Sequence, residues 1–264
     1  MVSQLNQRTQ IAAKAGATDE ARRVEQAAVD QQLHPTRPRL PGSRRARNAR
    51  LPPATEGILF VPFALFDRDA YAAKVAARLK AMGYEVQSIH RASDPLRALQ
   101  SAGAVFVGGG NTFRLLKNLQ ESGMMPAVRK RVVEGMPYIG SSAGAIVACP
   151  TLKTTKDMPV VEPSSFEALG LVDFQISPHY LDPDPASTHM GETQEERIQQ
   201  FLEENEQTVV GLREGSFLRI ERGSIVLKGS SGARIFRRCE APIEVKPGAE
   251  LRELLSAPSQ GRRP

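Results

Sequence analysis

The sequence predicts an α/β fold with a mostly parallel central sheet and helices on both faces. Two observations predict it. Short, unbroken apolar runs of strand length alternate with segments of helical period, and glycine-rich turns follow two of those runs. Because ligand sites in such sheets form at the carboxyl ends of the strands, the turns at 108–110 and 140–144 are candidate site segments.

The first half of the folded region alternates strands and helices. Strands are predicted at GILFVPFAL (57–65), EVQSIH (85–90), AVFV (104–107) and PYIG (137–140). The segment between the first two strands predicts an amphipathic helix, since its apolar residues recur every three or four positions: Tyr71, Val75, Leu79 and Met82. Helices are also predicted at DPLRALQSA, TFRLLKNLQES and PAVRKRVVEG.

The second half has shorter elements. FQISPHY predicts a strand that ends at a histidine, and ETQEERIQQFLEEN predicts a charged helix. The segments VVGL, SFLRI, SIVLK and ARIFRR predict strands separated by glycine turns. We therefore expect antiparallel hairpins near the C-terminus, closing one side of the sheet.

Composition and charge divide the chain into three parts. The protein has 264 residues, of which 41% are hydrophobic, enough for one α/β domain, predicted over residues 55–256. Residues 1–54 hold ten Lys or Arg and four Asp or Glu, while the remainder holds 25 of each. This charge distribution predicts a basic, disordered N-terminal extension, with contact to nucleic acid as the less favoured alternative, and a flexible tail at 257–264.

The sequence shows no membrane span and no apolar core of a secretory signal, so the expected location is the cytoplasm, without membrane partners. Cys149 and Cys239 are too few for a disulfide framework, and neither has a second cysteine at metal-ligand spacing. Both are therefore expected to be reduced and structural.

The stretch YIGSSAGA (138–145) carries the strongest chemical pattern. In a G-x-S-x-G turn, the central serine, here Ser142, lies on a sharp corner between a strand and a helix with its hydroxyl exposed. A nucleophilic serine needs a histidine base and usually an acid that orients it. His179 follows a buried-looking strand and is expected on the same rim as Ser142.

The residues alone leave the acid open among Asp157, Asp173, Asp182 and Asp184. A divalent metal site is the competing interpretation of one stretch, whose possible ligands are His179, Asp182, Asp184, His189 and Glu192. Their spacing matches no metal motif. The Gly108–Asn111 turn suits backbone donors for an oxyanion better than a phosphate loop, because no Gly-Lys-Ser/Thr follows it.

Taken together, the motifs resemble dipeptidase E, the α-aspartyl dipeptidase family of serine peptidases. The segments that carry the resemblance run in order from about residue 57 to 255: VGGGNTFRLL, YIGSSAGA, TLKTTKDMPVVEP, ALGLVDFQISPHYLDPDP, STHMGETQEERIQQFLEEN and VVGLREGSFLR. The resemblance implies a class I glutamine amidotransferase-like fold, hydrolysis of dipeptides with an N-terminal aspartate, and no metal or organic cofactor.

The resemblance also implies residue roles. Ser142 would be the nucleophile, Asp157 the acid and His179 the base. The backbone N–H groups of Ala143 and Gly110, with Gly109 beside them, would form the oxyanion hole. The implied substrate-binding residues are Gln194, Asn111 and Glu192.

Three departures from the family pattern affect these expectations. Ser141 stands where the family commonly has tryptophan, and Ile146 where it has asparagine. Gln194 stands where an arginine usually pairs with the aspartyl side chain, and this loss should weaken acidic selectivity by roughly 1.5 to 3 kcal/mol. The family also opens with a hydrophobic strand, whereas residues 1–56 hold no apolar run longer than two or three residues.

These departures leave alternatives to aspartate cleavage. The same machinery could prefer another N-terminal residue, or the chain could be a catalytically impaired member with a basic interaction tail. For the opening strand, either the sheet lacks it or this N-terminus derives from an altered gene start or reading frame.

Overall fold

The computed structural model describes residues 57–184, 186, 188 and 190–256. The expectations for the basic extension at 1–54, the opening strand and the tail at 257–264 concern residues outside these ranges. No helix within the described ranges has the length and apolar character needed to cross a membrane.

A four-stranded parallel sheet forms the first half, in the order β2-β1-β3-β4. Its strands are β1 (Ile58–Val61), β2 (Val86–Ser88), β3 (Ala104–Val107) and β4 (Tyr138–Gly140). Every residue of β1 and β3 is buried, as their unbroken apolar runs predict. The predicted first strand is shorter than expected, since β1 stops before Pro62, which has no N–H to donate to a sheet.

Helices follow the strands as predicted. They are α1 (Arg68–Lys80), α2 (Pro95–Ser101), α3 (Thr112–Glu121), α4 (Met124–Val133) and α5 (Ala143–Val147), with one turn of 3-10 helix at Ile89–Arg91. The side chains of Asp67, Asp94 and Asn111 accept backbone N–H groups at the starts of α1, α2 and α3. These caps explain why the helices begin where they do.

The second half contains a mixed sheet in the order β10-β9-β6-β5 and a separate two-stranded hairpin, β7-β8. The strands are β5 (Gln175–Ser177), β6 (Val209–Leu212), β7 (Ser216–Glu221), β8 (Ser224–Gly229), β9 (Ala233–Phe236) and β10 (Ile243–Val245). Helix α6 (Gln194–Glu204) precedes β6, and α7 (Arg252–Ser256) ends the described chain.

The expected hairpins are present only in part. Strands β7 and β8 form one. The segment VVGL, which is β6, instead pairs in parallel with β5 on one side and antiparallel with β9 on the other. This parallel pairing matters for the site, because it brings the carboxyl ends of β5 and β6 to the same edge.

One apolar core joins the two sheets. In the described residues β4 pairs only with β3, and β5 pairs only with β6. Buried residues from both sheets nevertheless belong to a single cluster, which includes Leu59, Val107, Ile176 and Ile235 together with Val147 of α5. This shared core holds the ends of β3, β4, β5 and β6 around one rim.

Candidate active site

Ser142 lies at a sharp corner between β4 and α5. Its backbone φ is 51°, in the region that side chains other than glycine rarely adopt. A residue held there costs about 1 to 3 kcal/mol, and such strain concentrates at functional sites. This is the strand-to-helix corner that the G-x-S-x-G pattern predicts.

The two glycines of the pattern are required by close packing. A Cβ on Gly140 would lie 2.5 Å from the carbonyl oxygen of Gly144, and a Cβ on Gly144 would lie 2.1 Å from the carbonyl oxygen of Val107. Both distances are far inside van der Waals contact. The corner can therefore be this tight only because neither position has a side chain.

His179 lies within hydrogen-bond distance of Ser142. It follows β5 after a single proline, and its own φ is 54°. The distance from His179 Nε2 to Ser142 Oγ is 2.9 Å. A nucleophile and a base at this separation are arranged for proton transfer between them.

Glu214 provides the carboxylate beside this histidine. Its Oε1 pairs with His179 Nδ1, on the ring edge opposite Ser142. Glu214 follows β6 just as His179 follows β5, and because these strands are parallel neighbours both side chains reach the same rim. Sequence reasoning missed Glu214, although an acid just after the strand next to the histidine strand was a usable indication.

The structure differs from the predicted triad in its acid. Asp157 Oδ2 accepts hydrogen bonds from the Thr112 N–H at 2.7 Å, the Thr112 hydroxyl at 2.6 Å and the Thr155 hydroxyl at 3.1 Å. These contacts hold Asp157 at the start of α3. The carboxylate bonded to His179 is that of Glu214.

The glycine turn after β3 lies at the same sheet edge as the corner after β4, because these strands are parallel neighbours. Gly110 has a φ of 133°, and a Cβ there would lie 2.9 Å from the carbonyl oxygen of Ala64. Burial raises the pKa of Tyr71 to about 12, partly offset by a hydrogen bond with the backbone of Gly109. Ala143 is the first residue of α5, and a helix leaves its first N–H groups without internal partners. The roles of Gly109, Gly110 and Ala143 stay predictions.

Gln194 is the first residue of α6, on the histidine side of the site. Its Oε1 accepts hydrogen bonds from Lys156 Nζ at 3.0 Å and from the Leu181 N–H at 3.1 Å. Two donors on one oxygen fix the orientation of the amide, so its NH₂ group is turned away from Lys156 and Leu181.

Asn111 and Glu192 have structural partners. Asn111 Oδ1 accepts the Arg114 N–H at 3.0 Å, and its Nδ2 donates to the Met158 carbonyl at 2.8 Å. Glu192 is exposed and accepts a hydrogen bond from Gln200 at 2.7 Å. Substrate contacts by these two residues and by Gln194 stay predictions.

A partly open pocket adjoins the reactive pair. Ser142, His179 and Glu214 lie on its wall with Ser141, at the position where the resemblance leads us to expect a tryptophan. The other side chains on its wall are mainly apolar, among them Ile139, Ile176, Leu212, Phe217 and Leu218. The pocket offers a mainly apolar surface beside the nucleophile.

Among the described residues, no three His, Cys, Asp or Glu side chains group closely enough to hold a metal ion. Asp182, one of the candidate ligands, instead pairs with Arg213, with an N–O distance of 2.7 Å. The hydrogen bond from Arg213 lowers the pKa of Asp182. His189, another candidate, lies outside the described residues.

Cys149 is fully buried three residues after Ile146, while Cys239 is exposed. Burial raises the pKa of the Cys149 thiol to about 12. A thiol that stays protonated is a poor nucleophile, so the geometry assigns no chemistry to Cys149.

Comparisons with known proteins show the family of the chain. The model of Peptidase family S51 matches residues 46–228. A Peptidase E of Streptomyces coelicolor is 56% identical over 203 residues, covering 77% of this chain and 84% of that protein. A Drosophila melanogaster protein named a probable alpha-aspartyl dipeptidase is 46% identical over 199 residues, which cover 75% of this chain and 83% of that protein.

A solved structure of a peptidase from an acI-B1 actinobacterium is also similar. Its TM-score is 0.61 at 14% identity, and the match covers 95% of this chain and 99% of that one. At this identity the likeness shows a shared fold.

Proposed function

Because the chain belongs to peptidase family S51, we propose that it is a serine dipeptidase that cleaves dipeptides with an N-terminal aspartate. The observation that carries the proposal is the 2.9 Å contact between Ser142 Oγ and His179 Nε2 at the strained corner after β4. The Drosophila relative's name supports the substrate class.

The proposed reaction proceeds in two halves. His179 Nε2 takes the Ser142 proton while Oγ attacks the peptide carbonyl, and the N–H groups of Gly110 and Ala143 stabilise the oxyanion. His179 then gives the proton to the leaving amine, which frees the second residue. Water, deprotonated by His179, attacks the acyl-enzyme and releases the N-terminal residue.

Glu214 is the proposed orienting carboxylate. Its contact with Nδ1 keeps the proton on that nitrogen, so that Nε2 faces Ser142 as an acceptor. The negative charge also stabilises the imidazolium that forms once the serine proton has moved. In this proposal Asp157 fixes the start of α3, next to the glycine turn, and does not orient the base.

An altered preference at the N-terminal residue is the second candidate, and Gln194 favours it. With its oxygen held by Lys156 and Leu181, Gln194 offers a neutral NH₂ group where an arginine would offer a charged fork. Such a donor suits an asparagine side chain as well as an aspartate. The impaired-member alternative depends on residues 1–54 and is tested by the same assay.

A hydrolysis panel separates these candidates. Purified protein is incubated with Asp-Leu, Asn-Leu, Glu-Leu and Leu-Leu, beside a Ser142→Ala variant with a matching circular dichroism melt. Cleavage of Asp-Leu well above the others supports the proposal, and faster cleavage of Asn-Leu supports the altered preference. If the folded protein cleaves none of them, the impaired-member alternative stands.

A further inference from the structure

We propose that Lys156 is a positioning residue for the catalytic base: its side-chain nitrogen holds the backbone at His179 so that the imidazole stays directed at Ser142. This inference rests on the proposed function. Lys156 lies in the loop between α5 and β5, beside Asp157, and is partly buried.

The contacts of Lys156 use all three of its donor positions. Nζ lies 2.7 Å from the Pro178 carbonyl oxygen, 3.1 Å from the His179 carbonyl oxygen and 3.0 Å from Gln194 Oε1. An ammonium has three N–H donors and no acceptor, so three acceptors satisfy it. One side chain thereby joins its own loop to the histidine segment and to the start of α6.

The backbone at His179 needs such a support. Strand β5 ends at Ser177. Beyond it the Tyr180 N–H still bonds the Leu212 carbonyl at 2.8 Å, and the carbonyls of Pro178 and His179 accept Lys156 Nζ. The φ of 54° at His179 is an unfavourable conformation for a residue with a side chain. Without donors on these carbonyls the segment could relax, and the imidazole would move away from Ser142.

Asp157, the residue after Lys156, connects the same loop to the start of α3. Asp157 accepts the Thr112 N–H at the start of α3, just after the glycine turn proposed to bind the oxyanion. Consecutive residues therefore fix the base on one side and the oxyanion turn on the other. The separation of these two groups is what an acyl-transfer site must hold constant.

The charge of Lys156 is maintained in a partly buried place. Burial lowers its pKa to about 8, Asp157 and Glu214 act in the opposite direction, and Arg197 adds to the lowering. The ammonium still predominates at pH 7. Keeping a cation here opposes folding, which fits a residue retained for the site and not for stability.

The test compares Lys156→Met, which keeps the length of the side chain but has no donor, with Lys156→Arg, which keeps charge and donors. Lys153→Met is the matched control, because Lys153 is an exposed neighbour that bonds Asn205 at 3.0 Å on the surface. For each protein we would measure kcat and KM for Asp-Leu, the melting temperature, and the rate at which a sulfonyl fluoride modifies Ser142, followed by intact mass.

Lys156→Met is expected to lower kcat about 10- to 100-fold, the range that small misplacements of catalytic groups produce. KM should change less than kcat, because the Leu181 N–H still bonds Gln194 Oε1. Sulfonylation should slow by a similar factor, since it needs only the serine and its base. Lys156→Arg should recover part of both rates, and Lys153→Met should match wild type. The melting temperature of Lys156→Met should not fall.

A folded Lys156→Met protein with wild-type kcat and sulfonylation rate would overturn the inference. If that variant does not fold, the inference is tested on the wild-type protein by recording the ¹⁵N NMR spectrum of its lysine ammonium groups at pH 6. A slowly exchanging Lys156 signal supports the contacts, and a freely exchanging one refutes them. The proposed function fails separately: it falls if wild-type protein is sulfonylated nowhere near Ser142 and cleaves no dipeptide.

Discussion

Replacing Glu214 by glutamine should slow catalysis without unfolding the protein. The substitution keeps the shape of the side chain and removes the charge paired with His179 Nδ1. A hydrogen bond to a charged group contributes roughly 1.5 to 3 kcal/mol, which corresponds to a loss of about 10- to 150-fold in kcat/KM. The His179 and Glu214 side chains are 35% and 42% exposed, so solvent screening places the expected loss near the lower end.

The matched comparison is Asp157→Asn. Because a single oxygen, Oδ2, accepts all three hydrogen bonds of Asp157, an asparagine oxygen can take its place. We expect Asp157→Asn to keep kcat/KM within a few-fold of wild type. Asp157→Ala would leave the Thr112 N–H without its acceptor and lower the free energy of unfolding by about 1 to 3 kcal/mol.

The assay is Asp-Leu hydrolysis at pH 7.5 with urea melts on the same preparations. The reasoning would be refuted if Glu214→Gln kept wild-type kcat/KM while Asp157→Asn lost as much activity as Ser142→Ala. That result would indicate that Asp157, and not Glu214, orients the imidazole of His179.

Three further outcomes follow from packing and titration. Gly144→Ala should give insoluble or inactive protein in an expression and activity screen, because its Cβ would lie 2.1 Å from the Val107 carbonyl oxygen. A chromogenic disulfide at pH 8 should titrate the exposed Cys239 in native protein and reach Cys149, whose pKa is raised to about 12, only after unfolding in urea. The pKa of Lys156 is about 8 in the folded state, below its ordinary value of 10.5. Between these pH values the folded state binds fewer protons than the unfolded state, so the free energy of unfolding increases as the pH rises. Urea melts at pH 8 and pH 10 should show this gain to be about 1 to 2 kcal/mol after allowance for solvent screening, and Lys156→Met should lack it.

The parallel half of the fold could be predicted because its two central strands, β1 and β3, are buried on both faces. Apolar runs such as AVFV coincide with β3 (Ala104–Val107), and Asp94 and Asn111 cap the helices that were expected after them. The C-terminal half was harder. The short strand Ile243–Val245 and the helix Arg252–Ser256 lack a strong pattern, and the partners of β6 depend on tertiary contacts that no local period encodes.

The site shows the same division between local and tertiary information. The sharp corner at Ser142 could be predicted because its environment is local: two glycines and the strand before them determine it. His179 could be proposed because it follows a buried strand. Glu214 was missed, because its position after a strand indicates a partner for His179 only once β5 and β6 are known to be parallel neighbours. Asp157 resembled the acid in sequence, yet its carboxylate contacts Thr112.

The central claim is that Ser142 is the nucleophile of a dipeptidase. The most direct measurement is the rate of Asp-Leu hydrolysis by purified protein beside its Ser142→Ala variant, with circular dichroism melts showing that both are folded. We predict measurable cleavage by the wild-type protein and a loss of at least about 1000-fold in the variant. Equal cleavage by both folded proteins would contradict the claim.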